Sequence, residues 1–437
     1  MIKILHKTEP NTIEISTKLA ENYDINCAKL IVRIGAWIRE LNVNINDELP
    51  EDTIGLPEQL KQSFTLPEEL SYEIVIKDRY LTIGPIIAFV AFRGKSSMSP
   101  RKMELFRLRF ADYQKIKGLV FICAANGIEP STKTIEGYYY NPNGKDRESR
   151  WIYGVFPYPN AVYKRKPVSG FRYNDLISSI GNRVINSFFF IKDDIAKMCQ
   201  RDQKFQQYFP YTEMLQDEEQ LNSLITKHQF VYLKPANGCQ GIGIYKVTVD
   251  GQGNFQFINR RRKMFTLAAG QQLKNFIDKC KRKNYIIQQG IESGADHKQV
   301  DFRVYAQKDQ KGQWVCQGMI ARVGKKGAVV TNLYFTEKLL PGLKAIETTF
   351  KVDHKTAEEI QANIYKQCIG VCEEIDKRFG NYGDVAIDVM VDKNHRVWIL
   401  EINKDFGYQS LVKLKNRPLL RTLYTTPFEY AKMLAGF

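Results

Sequence analysis

Two stretches of this 437-residue chain combine residue types that can do chemistry. Residues 385–403 read VAIDVMVDKNHRVWILEIN. Strand alternation turns Ile387, Val389 and Val391 one way and leaves Asp388 on the other face, amid apolar neighbours. After the turn DKNHR, the return segment VWILEIN puts Glu401 and Asn403 on one face, two residues apart. An antiparallel hairpin would bring Asp388 across from Glu401. Carboxylates crowded together repel, and each is costly to desolvate unless something positive lies between them. Two carboxylates and an amide carbonyl are hard oxygen donors, suited to Mg²⁺ held jointly with nucleotide phosphates. The competing reading is a surface hairpin whose acids are incidental.

The second stretch, residues 233–247, reads LKPANGCQGIGIYKV and places glycines at 238, 241 and 243. Such a loop lets backbone amides close on a phosphate. A P-loop needs a Lys-Ser/Thr pair after its last glycine, and none follows Gly243. The dinucleotide fingerprint must open a helix. Here Tyr245, Val247 and Val249 alternate with Lys246 and Thr248, the period of a strand. The remaining phosphate-binding form is strand, glycine flap, strand, with FVYLK entering, IYKVTV leaving and Lys234 a point charge just before the tip. An ordinary glycine hairpin is the alternative for this segment taken alone.

Between these stretches, YIIQQGIES reads as a strand ending at a kink, suited to presenting backbone groups to an adenine ring. In VDFRVYAQ, Asp301 and Arg303 share a face, and GMIARVGKKGAVVTNL places Arg322 and Asn332 after another strand. Arginine offers fixed donors for a phosphate or a developing charge.

The elements that must position these residues belong to a long, well-packed chain with 43% hydrophobic and 12% aromatic residues. The length suggests roughly three domains. Up to about residue 80, short apolar runs cut by turn residues predict a small β-rich domain. From Leu81, LTIGPIIAFVAF, a helical stretch through MELFRLRFADYQKIKG, and LVFICAA alternate as an α/β unit does. FPYPNAVYKRKPVSG reads as an irregular connector to the last domain. No run approaches a membrane span, and the polar opening MIKILHKTEP is unlike a signal peptide, so a cytoplasmic protein is expected. The eight dispersed cysteines read as reduced thiols. The net charge of +16 favours anionic partners such as nucleotides or acidic polymers. No nucleic-acid motif accompanies it, and the run RRRK at 260–263 reads as a solvated turn.

Taken in order, LKP, the glycine flap, IIQQGI, DFRV, ARV…TNL, IDVMVD and LEIN resemble the ATP-grasp superfamily. With LTIGPIIAFV, GYYYNPNG, FPYPNAVYKR and YFPYTEML upstream, the whole chain resembles the YheC/YheD-type ATP-grasp proteins of spore-forming bacteria. The resemblance implies an α/β (α+β ATP-grasp) fold. Its parts would be a β-rich domain at 1–80, a pre-ATP-grasp domain at 81–187 and a catalytic domain at 188–437 with its flap at 236–244. It implies an ADP-forming carboxylate–amine ligase that uses ATP and Mg²⁺ on unknown, peptide-like or acidic substrates. The alternative it carries is a spore-coat-associated protein that binds ATP with little or no turnover.

Residue by residue, the resemblance gives Lys234, Gly238, Gln240, Gly241 and Gly243 to the phosphates and matches Lys192 to an earlier nucleotide-binding lysine of the family. It gives Gln289 and Gly290 to the adenine hinge, and Asp301 to the ribose. Arg303, Arg322 and Asn332 would face the γ-phosphate and acyl group, and Asp388, Glu401 and Asn403 would hold the metal. Two loops on the acceptor side depart from the family pattern. LYFTEKLLPG follows Asn332 where a glycine pair is usual, and KDFG follows Asn403 where Pro-Gly is usual.

Overall fold

The strands of the computed structural model, which describes residues 1–168, 170–188, 190, 192–236, 241–293, 299–325, 327–329 and 335–437, gather into four sheets. In the first, Lys3–Thr8, Thr12–Ser16 and Lys29–Ile34 alternate buried and accessible residues, so one face closes on the core. Its seven strands run in the order Lys3–Thr8, Thr53–Pro57, Thr12–Ser16, Trp37–Asn46, Lys29–Ile34, Tyr80–Gly84, Glu73–Lys77.

The second sheet is built around Ile86–Phe92, an almost wholly buried apolar strand flanked in parallel by Leu119–Glu129 and Ala161–Lys164. Continuous apolar runs of this kind are what burial on both faces demands. Two expectations change here. LTIGPIIAFVAF is two strands in two different sheets, Tyr80–Gly84 and Ile86–Phe92. Pro85, which has no amide to donate to a ladder, separates them. The expected irregular connector contains the buried strand Ala161–Lys164, hidden in the sequence by Pro157, Pro159 and the basic KRK run.

The third sheet runs Thr212–Met214, Tyr285–Gln289, Val231–Pro235, Tyr245–Val249, Phe255–Asn259, Met264–Leu267. Its strands flanking the glycine loop pair antiparallel, Val231 opposite Val247 and Leu233 opposite Tyr245. The RRRK run forms the turn between Phe255–Asn259 and Met264–Leu267, with Arg261 to Lys263 exposed.

The fourth sheet runs Thr336–Pro341, Trp314–Gly324, Val300–Lys308, Asp384–Val391, Val397–Asn403. Helix His354–Phe379 covers one side of it. Asp353 caps its first turn by accepting from the Thr356 amide at 2.8 Å, and Ala357, Ile360, Ile364, Cys368, Val371, Cys372 and Ile375 form its buried stripe. The seven cysteines among the described residues are free thiols. Helix Arg417–Ala435 joins two layers: Leu420 and Leu423 pack beside Tyr305 and Ile320, while Phe428, Tyr430 and Ala431 enter the core of the second sheet. Among the described residues no helix is long and apolar enough to cross a membrane.

Candidate functional site

Strand register in the fourth sheet assembles a charged ladder on one face. Asp301 lies opposite Arg322, Arg303 opposite Asp388, and Asp388 opposite Glu401. Arg322 donates to both Asp301 oxygens, Nε to Oδ1 at 2.7 Å and Nη2 to Oδ2 at 2.5 Å. Its Nη2 also lies 3.1 Å from Asp388 Oδ2. Arg303 forms a second bidentate fork, Nε to Asp388 Oδ1 at 2.8 Å and Nη2 to Oδ2 at 2.9 Å. Asn403 Nδ2 donates to Asp388 Oδ2 at 3.4 Å. Paired N–H donors at this spacing match a carboxylate closely, which is why arginine takes these positions.

Asp388 is buried. Desolvation alone pushes its carboxyl up, but Arg303 and Arg322 together outweigh it and hold the group well below the usual carboxylate range. Arg303 and Arg322 are themselves raised above the ordinary guanidinium value: burial opposes their charge, and the aspartates more than compensate. Asp301 is thus engaged by Arg322, and both arginines expected at a γ-phosphate are held by aspartates.

The donor types fit a hard divalent cation. Asp388 and Glu401 are cross-strand neighbours, and Asn403 adds an amide on the same face of the Glu401 strand. Among the described residues no three His, Cys, Asp or Glu side chains group as a metal site. Two carboxylates and an amide would supply only part of a cation's shell, the rest coming from phosphate oxygens and water.

On the third sheet, Thr212, Gln288, Tyr232 and Lys246 stand in register across four neighbouring strands. Lys234 donates through Nζ to Gln288 Oε1, and Gln288 Nε2 donates to Thr212 Oγ1 at 3.0 Å. The Lys234 ammonium lies 5.1 Å from the Tyr232 ring centroid. Gln289 forms a clamp with Tyr211: its amide donates to the Tyr211 carbonyl at 2.8 Å, and its Oε1 accepts from the Tyr211 amide at 3.2 Å. Gly290 donates to the Phe230 carbonyl at 3.0 Å. A Cβ on Gly290 would meet the Phe230 ring at 2.2 Å, so only glycine allows this approach. Gly241 and Gly243 have φ of +70° and +78°, the left-handed region that glycine tolerates.

Gly238, Gln240 and Asn332 lie outside the described residues, as does the Lys192 side chain at the start of helix Lys192–Arg201. The described members fall into two groups: Lys234, Gly241, Gly243, Gln289 and Gly290 on or beside the third sheet, and Asp301, Arg303, Arg322, Asp388, Glu401 and Asn403 on the fourth.

Sequence reasoning passed over Gln288, which orients Lys234, and Lys246, whose ammonium lies 4.0 Å from the Phe230 ring centroid. Burial lowers the Lys246 ammonium below its ordinary value. The strand alternation around Lys246 was its only signal.

The KDFG loop departs from the family pattern, and contacts from the second sheet secure it. Arg165 donates to the Phe406 carbonyl through Nη2 and to Asp384 Oδ2 through Nη1 at 3.1 Å, and lies 3.8 Å from Asp405. Lys166 pairs with Asp405 at 2.5 Å. Tyr163 donates to the same Asp384 oxygen, and Gln307 Nε2 donates to the other at 2.8 Å.

A glycine loop between antiparallel strands on one sheet and an acid–arginine ladder on another are the two halves of an ATP-grasp protein. The chain belongs to the YheC/D-like ATP-grasp family, whose model matches residues 181–434. It is 26% identical over 452 aligned residues to the endospore coat-associated protein YheD of Bacillus subtilis (strain 168), covering 99% of this chain and 95% of that protein. It is 24% identical over 232 residues to the endospore coat-associated protein YheC of the same organism, covering 52% of this chain and 62% of that protein. Among solved structures it is similar to D-alanyl-alanine synthetase A from Vibrio cholerae, with 12% identity, a TM-score of 0.40, and 79% of this chain and 98% of that one covered.

Proposed function

We propose that this protein is an ATP- and Mg²⁺-dependent carboxylate–amine ligase. The observation that carries this reading is the ladder Arg322–Asp301, Arg303–Asp388–Glu401, built on strands that bury Phe302, Val304, Ala321, Ile387 and Val389 beside it. Three acids against two arginines on one half-buried sheet face leave a carboxylate in excess, which a divalent cation carried in with an anionic nucleotide would offset.

In this reading, Lys234 and Lys246 attract the triphosphate, Gly241 and Gly243 let backbone amides approach it, and Gln289–Gly290 presents backbone groups to the base. Asp301 orients Arg322 through its bidentate pair, which supports a positioning role ahead of the ribose contact expected from sequence. Asp388, Glu401 and Asn403 would hold Mg²⁺, which when bound neutralises charge on the β- and γ-phosphates. Arg303 and Arg322 stabilise negative charge as the γ-phosphoryl group passes to a substrate carboxylate oxygen, breaking the β–γ bond and releasing ADP. Attack by an amine on the acyl phosphate then expels phosphate and leaves an amide. The net charge of +16 suits an acidic or peptide-like acceptor.

The test is nucleotide product analysis against pools of amino acids and peptides, with hydroxylamine present to trap an activated carboxylate. ADP together with a hydroxamate is expected; AMP as the main product would exclude the mechanism. A second reading rests on the names of the two curated relatives, both called endospore coat-associated. In it the chain is a coat-associated protein that binds ATP without turnover. Tight nucleotide binding with no ADP release under any acceptor pool is the outcome that favours it.

A further inference from the structure

Away from the ladder, the first sheet presents an outer face that solvent does not fully reach. Register sets Arg33 beside Thr82 and Thr82 beside Val75, and in the next row Tyr80 beside Lys77. Leu81 and Ile83, on the opposite face, are buried in the core. This outer face meets Asn160 and Arg183 from the second sheet's end and Leu434, Ala435 and Gly436 at the end of the last helix, around an open cleft of about 280 Å³. Lys432 ties that helix to the sheet through Glu73 at 2.6 Å.

The cleft contains too many donors. Arg33, Lys77 and Arg183 line it, and among the described residues none of them forms an ion pair with a carboxylate. Asp78 is the one acid in the lining. Arg33 Nε is buried without a hydrogen-bond partner, its guanidinium lying 5.2 Å from the Tyr80 ring centroid. Asn160 is 1% exposed. Its Oδ1 accepts from the Ile86 amide at 2.9 Å, while its Nδ2 is buried and unpartnered. Arg183 spends Nε on the Ile180 carbonyl at 2.7 Å. Burial, with Arg33 close by, lowers its guanidinium below the ordinary value.

Buried donors without acceptors, and like charges brought together without a counter-charge, both raise the free energy of the fold. An anion with several acceptor oxygens relieves the repulsion between Arg33 and Arg183 and supplies the counter-charge that the lining lacks. We propose that this cleft binds a phosphate-type oxyanion, seated between Arg33 and Arg183, with Thr82 and Lys77 in the lining as further donors. Its volume exceeds that of phosphate alone, so it also admits the organic portion of a small phosphomonoester. It is built from the first two sheets and the chain's last helix, and uses none of the residues of the acid–arginine ladder or the glycine loop.

The test uses the full chain with inorganic phosphate and glycerol 3-phosphate at constant ionic strength, chloride being the control. In the unmodified protein, either ligand should slow dicarbonyl labelling of Arg33 and Arg183 several-fold while leaving the exposed Arg79 unchanged. Arg183→Gln should weaken ligand-induced thermal stabilisation about tenfold in concentration. In chloride the same variant loses the Ile180 hydrogen bond together with the repulsion from Arg33, so the ligand-dependent shift, and not basal stability, reads the site. Stronger protection by the ester than by phosphate assigns the remaining volume to an organic group, and equal protection assigns the cleft to phosphate itself. Unaltered labelling of both arginines under both ligands overturns the proposal, and needs no variant to fold.

Discussion

Burial takes hydration from the Asp388 carboxylate, and Arg303 and Arg322 more than compensate for that loss. The balance makes each partner's removal expensive. Arg303→Ala should destabilise the chain by about 3 kcal/mol, because it leaves a buried carboxylate short of its bidentate fork. Denaturant titration measures this. The pH dependence has a definite sign. A carboxyl held below its unfolded value stabilises the fold above about pH 4, and that contribution is lost as pH falls toward the folded value. Asp388→Asn should therefore flatten the acid limb of the stability curve below about pH 4, leaving its neutral-to-alkaline shape unchanged. Glu401→Gln addresses the metal reading: calorimetry should show ATP affinity that no longer rises with magnesium, in a protein of unchanged fold.

At the level of elements, the strand Tyr285–Gln289 is held on both edges, by Thr212–Met214 and by Val231–Pro235. Gly290 then lets the chain pass directly over the Phe230 ring. Gly290→Ala should cost about 1–3 kcal/mol through overpacking. Phe230→Leu in the same chain should recover most of that loss, and a double-mutant cycle by thermal unfolding reads the coupling. Independent effects that simply add would show that the close approach is not what limits this position.

Across the whole molecule, the last helix and Arg165 join layers that lie far apart in sequence. Phe428, Tyr430, Ala431 and Ala435 complete the core around Ile87, Phe89 and Tyr163, and Arg165 fastens the loop after Asn403 to the second sheet. A chain truncated to residues 188–437 keeps both groups of candidate site residues except for this support, and exposes that aromatic face. It should aggregate or lose cooperative unfolding, as sizing chromatography and calorimetry would report. A monodisperse, cooperatively folded truncation that binds ATP as the full chain does would show that the first two sheets are dispensable to the site.

What the sequence determined by itself was local. Alternation around Asp388 and the turn DKNHR defined a hairpin with Asp388 facing Glu401, and strand periodicity on both sides of the glycine loop defined the pair Val231–Pro235 and Tyr245–Val249. Both follow from the two-residue repeat of a strand and the short reach of a hairpin, which nearby residues specify. What lay beyond it was decided by packing between distant segments. Arg322 meets Asp301 across 21 residues and Arg303 meets Asp388 across 85, and the sheet register that aligns them is set by apolar faces on either side. Ala161–Lys164 became a strand because Ile86–Phe92 offered it a buried edge, though prolines and basic residues around it read as loop. The convergence of Arg33 and Arg183 arises in the same way, since two basic residues 150 positions apart acquire a shared field only when three layers close on one cleft.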